Sequence, residues 1–450
     1  MMLARKHRVG GLVTGLLPDS VTWLTVYLVL LLAIPSRLVL QPLASAGAPS
    51  QLFALVGLLW WAWYQVSRWN VADTWHGPVR TALAAFLASV ALSYIGAMLR
   101  PIEADEVSTA DVALIAAASW AGTFLVAHDG IPSRERLDLL VGRLAMGGGL
   151  LALLGLVQFA TRQTLVDVID IPGLSANQQA FDFERSGFTR PSGTATHPIE
   201  YGVVLTMFLP LALHSAFHAR HTSLVARWLP LAAMALIIPL SLSRSAVVGT
   251  VVCLLVLMPT WPAARRRLAL VSGAALLGVV FVTVPGVLGS FTSMFTQIEN
   301  DPSARSRTDS YGLVLDFVAD SPLIGRGLGT FLPKYWILDN QLLLLLVTVG
   351  VLGLATFLAT LTAAVVVLTR LRRSSRDADT RDLAQTLVAS LAAGTAGLAF
   401  FDGFAFPMTA GTLFLLLGMS GALARVERPA LRRPSRATSS EAPPTTVPGP

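Results

Sequence analysis

Apolar stretches of about 20 residues recur along the chain, and they constrain its fold more than any other feature. Each stretch is long enough for an α-helix to cross about 30 Å of hydrocarbon. Of the 450 residues, 54% are hydrophobic and only 13% are charged, whereas about a quarter of the residues in a soluble protein carry a charge. Since the alternating pattern of membrane β-strands is also absent, we predict an all-α polytopic membrane protein.

Hydropathy predicts about twelve transmembrane helices of roughly 20 residues each. The long apolar stretch 224–259 is divided at Pro239–Arg244, because Pro239 has no backbone N–H and a polar run follows it. The window 337–369 is longer than one crossing needs, so it should tilt or begin outside the hydrocarbon. The predicted spans lie at residues 18–38, 50–66, 79–99, 108–127, 139–160, 199–217, 224–242, 245–259, 268–285, 337–369, 383–401 and 408–424.

An even number of spans places both termini on one side of the membrane, and the positive-inside rule selects the cytoplasm. With that orientation, most of the 33 basic residues lie in cytoplasmic segments. The chain then divides into a cytoplasmic N-terminus at 1–17, a transmembrane domain at 18–428 and a cytoplasmic tail at 429–450. The tail is rich in Pro, Ser and Thr and is predicted to be disordered. The net charge of +7 reflects the cytoplasmic arginines, so we predict no nucleic-acid partner.

Two predicted extracytoplasmic loops, at about 161–198 and 286–336, are longer than ordinary connections. We therefore expect ordered, functional loops at these places. The second loop has an apolar spacing that suits a helix, which would either lie in the membrane interface or pack over the bundle. The residues with this spacing are Leu288, Phe291, Met294, Phe295 and Ile298.

A second helix is predicted farther along the same loop. Ser306, followed by Asp309 three residues later, resembles a capping box, which would place Arg307 in the first helical turn. An arginine and free backbone N–H groups pointing the same way would make a phosphate site; an ordinary loop helix with a solvated arginine is the alternative. The apolar face of this helix would be formed by Tyr311, Val314, Leu315 and Val318.

Arg190, Arg244 and Arg307 are predicted on the outer side, where the positive-inside rule does not explain them. A guanidinium binds phosphate or diphosphate bidentately, which a lysine does less well. Three converging arginines would suit a lipid-linked diphosphate. Each alone could instead contact lipid headgroups by snorkelling.

These arginines also carry a family resemblance. The segments GFTRPSGTATHPIEYG, LSRSAVVG and SRTDSYGLVLDFVADSPLIGRGLGTF occur in this order, followed by LDNQLLLLLVTVGVLG. Together, from about Gly187 to Leu354, they resemble the O-antigen ligase and polymerase superfamily, bacterial inner-membrane enzymes that join undecaprenyl-diphosphate-linked glycans to an acceptor. The resemblance implies a GT-C-like helical fold, a metal-independent inverting glycosyl transfer, and diphosphate binding by Arg190, Arg244 and Arg307.

One position departs from the family pattern. O-antigen ligases typically have a histidine, regarded as the base, immediately before the asparagine of the last motif, and here Asp339 precedes Asn340. Asp339 could serve as the general base if partial burial raises its pKa. It could equally cap the following helix. The missing histidine favours a polymerase over a ligase.

Other candidate residues have both a functional and a structural interpretation. His197, before Pro198, fits the family pattern and could instead cap a span. Asp182 and Glu184 could orient arginines or bind sugars, or be solvated loop charges, and Asp309 could simply cap its helix. The glycines at 325, 327 and 329 lack the Lys-Ser/Thr of a phosphate loop and suggest a turn. We see no cluster with metal-ligand spacing, and predict no metal and no cofactor.

The sequence therefore predicts an enzyme that extends a surface polysaccharide from a polyprenyl-diphosphate-linked donor. Its other partners would be a glycan acceptor, the lipid bilayer and a chain-length regulator. A ligase that attaches a finished glycan to a lipid or protein acceptor is the close alternative. From a different class, a lipid-linked sugar flippase would need polar residues near mid-membrane, whereas the polarity here is gathered outside.

Overall fold

The computed structural model describes residues 19–67, 77–177, 184–185, 187–218, 223–296 and 302–432, with the backbone alone for 185, 293–295, 302–309 and 429–432. These residues contain fourteen α-helices, numbered α1 to α14. Their bounds are Ser20–Ala33, Pro49–Ser67, Pro78–Met98, Ala104–Gly130, Arg134–Thr161, Pro198–His218, Leu224–Leu240, Arg244–Leu257, Ala263–Thr283, Val287–Thr296, Pro302–Asp320, Gln341–Ser374, Ala378–Gly397 and Pro407–Arg432.

Two short antiparallel ladders lie outside the helices. Strand β1 (Leu38–Val39) pairs with β2 (Ser175–Ala176), and β3 (Glu184–Arg185) pairs with β4 (Phe188–Thr189). The register of the second pair sets Glu184 opposite Thr189. Short 3-10 turns lie at Gln41–Gly47, Met258–Thr260 and Gly403–Ala405.

The helical membrane architecture is confirmed, although the number of spans is not. Each of the twelve predicted windows overlaps a helix, α1 to α9 or α12 to α14. By length and composition, 7 helices among the described residues can cross a membrane, or up to 8 if the bent pair formed by Gln41–Gly47 and α2 is one span. The helices α1, α7 and α8 are apolar but shorter. The last helix ends at Arg432, and the remaining tail, like residues 1–18, lies outside the described residues.

The core is built around α6 and α14. In their apolar windows, 83% and 94% of the residues are buried, against 6% in α9, which lies at the edge of the bundle. Small residues let α6 and α8 approach closely: a Cβ on Gly202 would lie 2.9 Å from the Ala246 methyl, and one on Gly249 would lie 2.7 Å from the Thr206 hydroxyl. This packing is typical of membrane helices, which associate through small residues rather than through a hydrophobic driving force.

Helix breaks interrupt the apolar segments at 224–259 and 337–369. The predicted division at Pro239–Arg244 is confirmed, since α7 ends at Leu240 and α8 begins at Arg244, with Leu242 in the left-handed region (φ 47°). The second break lies within α12 at Gly350 (φ 71°). The length of the 337–369 window is thus explained by a kinked helix that begins at Gln341.

The glycine-rich segment after α11 closes the break in α12. A Cβ at Gly325 would overlap the backbone of Thr348, and a Cβ at Gly350 would overlap that of Leu323, so only glycine allows the two backbones to approach this closely. The glycine run is therefore a packing segment rather than a simple turn. Its backbone bonds across the break are Arg326 N to Val347 O (3.0 Å), Gly327 N to Thr348 O (2.8 Å), Val351 N to Pro322 O (2.9 Å) and Leu352 N to Leu323 O (3.1 Å).

The predicted start of the loop helix is wrong. Helix α11 begins at Pro302, so Ser306 is not its N-cap and Arg307 lies beyond the first turn. Proline suits the first helical position because its φ is already helical and its missing N–H is not needed there. The apolar face also differs from the prediction, since Tyr311 and Leu315 are exposed while Val314 is buried. Val318 packs against a small apolar cluster that contains Val314. The helix predicted from Leu288 is confirmed as α10, and Ile298 lies outside the described residues.

Candidate functional site

Arg190 follows strand β4 and lies beside the break between α7 and α8. Its guanidinium is half-buried, and Nε donates to the Ser241 carbonyl oxygen at 3.4 Å. Arg244, also half-buried, begins α8 three residues after Ser241. The structure therefore brings two of the three predicted arginines to one helix break.

Gln158 holds the loop that carries Arg190. Its side chain is buried, and its amide makes two bonds with Gly193: Oε1 accepts from Gly193 N at 2.8 Å, and Nε2 donates to Gly193 O at 3.0 Å. Gly193 has φ 59°, which glycine adopts at little cost. The sequence analysis did not find Gln158, because a glutamine inside an apolar span acquires its role only from a loop 35 residues away.

The N-termini of α6 and α8 lie side by side at this site. Their close packing at Gly202 and Ala246 sets Pro198, the first residue of α6, at the same end of the bundle as Arg244. Free N–H groups at a helix N-terminus attract anions. Together with two guanidinium groups they make this end of the bundle suited to a phosphate-bearing ligand.

His197 sits immediately before α6. Its Nδ1 accepts a hydrogen bond from Ile199 N at 3.0 Å, so the capping interpretation has a direct contact in its favour. Burial, together with the nearby Arg190 charge, lowers the pKa of His197 to about 4. The imidazole is therefore neutral at neutral pH. Its proximity to Arg190 places it at the same site.

Asn340, rather than Asp339, caps helix α12. The Asn340 side-chain oxygen accepts from Leu342 N at 3.0 Å and from Leu343 N at 3.2 Å. The interpretation of Asp339 as the helix cap is therefore wrong, because its neighbour Asn340 is the cap. Asp339 is half-buried and precedes the cap, so its carboxylate does not serve the helix end and could serve a ligand.

Asp402 lies close to Asp339, and the sequence analysis missed it. Burial raises the pKa of Asp402 to about 7, and the Asp339 charge adds to the increase. Gln341 holds this loop against the start of α12: its N–H donates to Leu398 O at 2.8 Å, and its Oε1 accepts from Phe404 N at 2.8 Å. The sequence signal was weak, a lone aspartate among aromatic residues between the last two spans.

Glu200 joins the arginine loop to the Asp402 loop. It is fully buried in the first turn of α6, where its carboxylate accepts from Thr196 N and from Met408 N, both at 2.9 Å. The rings of His197 and Phe406 also make an edge contact at 6.5 Å. These contacts place the loops of Arg190, His197, Asp339 and Asp402 at one end of the bundle, where helix α8 begins with Arg244.

The remaining predicted residues are less closely connected. Arg307 and Asp309 lie in α11, for whose first residues only the backbone is described. Ser310 lies about one turn after Arg307, and its hydroxyl accepts a hydrogen bond from Trp336 Nε1 at 3.0 Å. Trp336 is three residues before Asp339 in the sequence. This contact brings α11 to the same part of the protein. Glu184 is exposed on β3, and Asp182 lies outside the described residues.

Residues 229–358 match the family model described as O-antigen ligase (Wzy_C). The match extends from α7 into α12 and contains Arg244, Arg307 and Asp339, whereas Arg190 and His197 precede it. It covers less than half of the chain, and it confirms the resemblance to the O-antigen ligase and polymerase superfamily. No curated protein matches the chain.

Proposed function

We propose that this protein transfers a glycan from a polyprenyl-diphosphate carrier to a second glycan and so extends a surface polysaccharide. The observation that carries the proposal is the contact of Arg190 with the helix break that Arg244 follows. Both arginines lie at the same end of the bundle as the Asp339–Asp402 pair. The match of residues 229–358 to the O-antigen ligase family model supports a reaction of the polymerase or ligase type.

The diphosphate is the leaving group in this reaction. Arg190, Arg244 and Arg307 bind it and stabilise the negative charge that develops as the bond from the sugar C1 to the diphosphate oxygen breaks. Hydrogen bonds from the guanidinium groups can stabilise the charge on the departing diphosphate without a metal ion. The N-termini of α6 and α8 add further positive potential.

Asp339 activates the acceptor. Its carboxylate takes the proton from the acceptor hydroxyl as that oxygen attacks C1 from the face opposite the diphosphate, and the configuration at C1 is inverted. Burial, with a smaller contribution from the Asp339 charge, raises the pKa of Asp402 to about 7. Below that pH Asp402 holds its proton and adds no second negative charge beside Asp339. An aspartate in the position of the family's histidine favours the polymerase over the ligase.

The protein would reside in the bacterial inner membrane with about twelve spans, both termini in the cytoplasm and the site facing outward. The donor then reaches the site from the outer leaflet. A chain-length regulator would be a separate partner protein that takes no part in the transfer step.

The test is complementation in a strain that lacks the gene. Arg190→Ala, Arg244→Ala and Arg307→Ala are produced singly at equal levels, and the length of the surface polysaccharide is read on a gel. We expect single-unit products on the outer side. Normal polymer from all three variants would contradict the proposal. Units stranded on the inner side would indicate a flippase, and full-length but unattached polymer would indicate a ligase.

Asp339→Asn tests the base separately. The amide keeps the shape of the side chain but cannot accept the hydroxyl proton, so polymer formation should fall by at least about a hundredfold. Full activity of this variant would leave Asp339 with a structural role only.

A further inference from the structure

A second cluster of titratable side chains lies at the opposite end of α6. His214 and His218 are four residues apart on this helix, so both imidazoles project from one face. They are separated from His197 by most of the helix, about 25 Å at 1.5 Å per residue. Asp382 of α13 faces them, 168 residues after His214 in the sequence.

We propose that this cluster is a binding site for a transition-metal ion of the zinc type. His214, His218 and Asp382 each offer one ligand atom, and these atoms lie within 4.8 Å of one another. The His214 Nδ1 lies 2.7 Å from Asp382 Oδ2, and the His218 Nδ1 lies 3.5 Å from the same oxygen. Tetrahedral zinc sites separate their ligand atoms by roughly 3.3 Å, so the His218–Asp382 distance already fits and the His214–Asp382 pair must open by a few tenths of an ångström. The His218 Nδ1 also lies 3.1 Å from the His214 carbonyl oxygen, and the ion would replace this contact.

Arg265 orients the carboxylate without occupying the proposed metal position. Its guanidinium donates to Asp382 Oδ1 at 2.7 Å, which leaves Oδ2 toward the histidines. The guanidinium is itself held over the rings of Phe217 and Trp261, at 4.1 and 4.5 Å from their centroids. A fixed hydrogen-bond partner on a ligating carboxylate is a regular feature of metal sites.

The ligand types select the ion. Two imidazoles and one carboxylate suit Zn²⁺, Co²⁺, Ni²⁺ or Cu²⁺, whereas Mg²⁺ and Ca²⁺ prefer oxygen ligands only. Three protein ligands leave a fourth position for water. The ion has a path to the site, because the His218 side chain is 23% exposed and the exposed Asp379 lies 3.5 Å from its Nε2.

A metal ion here would connect three helices. His214 and His218 belong to the central helix α6, Asp382 to α13, and Arg265 to α9, which is otherwise scarcely buried. Binding would therefore stabilise the bundle at the end opposite to the candidate site. The inference does not rest on the proposed glycosyl transfer.

The test uses the full chain, purified in detergent with an affinity tag that contains no histidine and stripped of metal with a chelator. Zn²⁺ is titrated in competition with a chromophoric chelator, and Co²⁺ is added separately as a spectroscopic probe. We expect one saturable Zn²⁺ per chain, the intense visible bands of four-coordinate Co²⁺, and no competition by Mg²⁺ or Ca²⁺. An absence of saturable binding, or the weak bands of octahedral Co²⁺, would overturn the proposal.

Variants assign the site. His218→Gln and Asp382→Asn should each weaken Zn²⁺ binding by at least about a hundredfold, since each removes a direct ligand. His76→Gln, which removes an imidazole from the segment before α3, is the matched control and should bind as the wild type does. Size-exclusion chromatography checks that each variant is folded. Unchanged affinity in folded His218→Gln and Asp382→Asn would also overturn the proposal.

Discussion

The helix break between α7 and α8 and the break at Gly350 in α12 are closed in different ways. In α12, the backbone groups on both sides of Gly350 bond to the backbone of the 322–327 segment. Between α7 and α8, the Ser241 carbonyl accepts from the Arg190 side chain, and the hydroxyls of Ser243 and Ser245 bond to each other at 2.9 Å. One break is closed by backbone, and the other is lined by side chains.

We interpret the α12 break as structural and the α7–α8 break as part of the ligand site. Irregular backbone at membrane depth must have its polar groups satisfied, either by protein or by a water-filled cavity. The α12 break meets this need mainly with the backbone of residues 322–327, so it shapes the helix that begins at Gln341, just after Asp339. The α7–α8 break instead presents a charged side chain and a helix N-terminus, which are suited to an anionic ligand.

The largest effect is expected at the backbone-closed break. Gly350→Ala and Gly325→Ala should each destabilise the protein by at least about 3 kcal/mol, because both residues have positive φ and a Cβ would overlap the facing backbone. Thermal unfolding in detergent measures this loss. Gly312→Ala is the control, since a Cβ there meets nothing within 4 Å. Equal stability of all three variants would contradict the account of this break.

The side-chain break should respond in activity and not in stability. Arg190→Lys and Arg244→Lys keep the charge but lose the bidentate geometry, so the rate of glycan transfer should fall by about 10²-fold. Unfolding temperatures should stay near that of the wild type. Arg162→Lys, an exposed arginine at the end of α5, should leave both quantities unchanged. A loss of stability equal to that of the glycine variants would erase the distinction between the breaks.

The pH dependence of transfer should report Asp402. Because its pKa is raised to about 7, the carboxyl holds its proton below about pH 7 and loses it above. Ionisation puts a second negative charge beside Asp339 and opposes binding of the anionic donor. Activity should therefore decline above pH 7 with the slope of a single proton. In Asp402→Asn this decline should disappear, and in Asp170→Asn, an exposed loop aspartate, it should remain.

The smallest effect is expected at Gln158. Replacing it with Glu removes the donor to Gly193 O and leaves the loop of Arg190 with one bond fewer. We expect a loss of about 1–3 kcal/mol in stability and a severalfold rise in the KM for the donor. Gln163→Glu, on the exposed surface of the same region, should change neither quantity. A fall in kcat with unchanged KM would contradict a positioning role.

Local sequence patterns were sufficient for part of this structure. Apolar windows located the helices, because burial in hydrocarbon depends on composition over about 20 residues. Pro239 and the serines after it located the α7–α8 break, because proline removes a local hydrogen bond. The match to the O-antigen ligase family covers two of the three arginines.

The rest depended on contacts between distant segments. Gly350 lies within an apolar run, and only the facing segment at Gly325 shows why the helix breaks there. Asp402 and Gln158 act through loops that hydropathy does not bring together. The metal-ligand set at His214 joins helices 168 residues apart. The sequence analysis predicted no metal and did not single out the i, i+4 pair His214 and His218, because the third possible ligand, Asp382, lies on a helix that is distant in the sequence.

The central claim is that Arg190 and Arg244 bind the same diphosphate. The most direct measurement is a double-mutant cycle on the Kd of a polyprenyl diphosphate, using the purified wild type, Arg190→Ala, Arg244→Ala and the double variant. We predict that the two effects are coupled by more than about 1 kcal/mol, as expected for side chains that share one ligand. Effects that add to within about 0.5 kcal/mol, or a Kd that neither substitution changes, would contradict it.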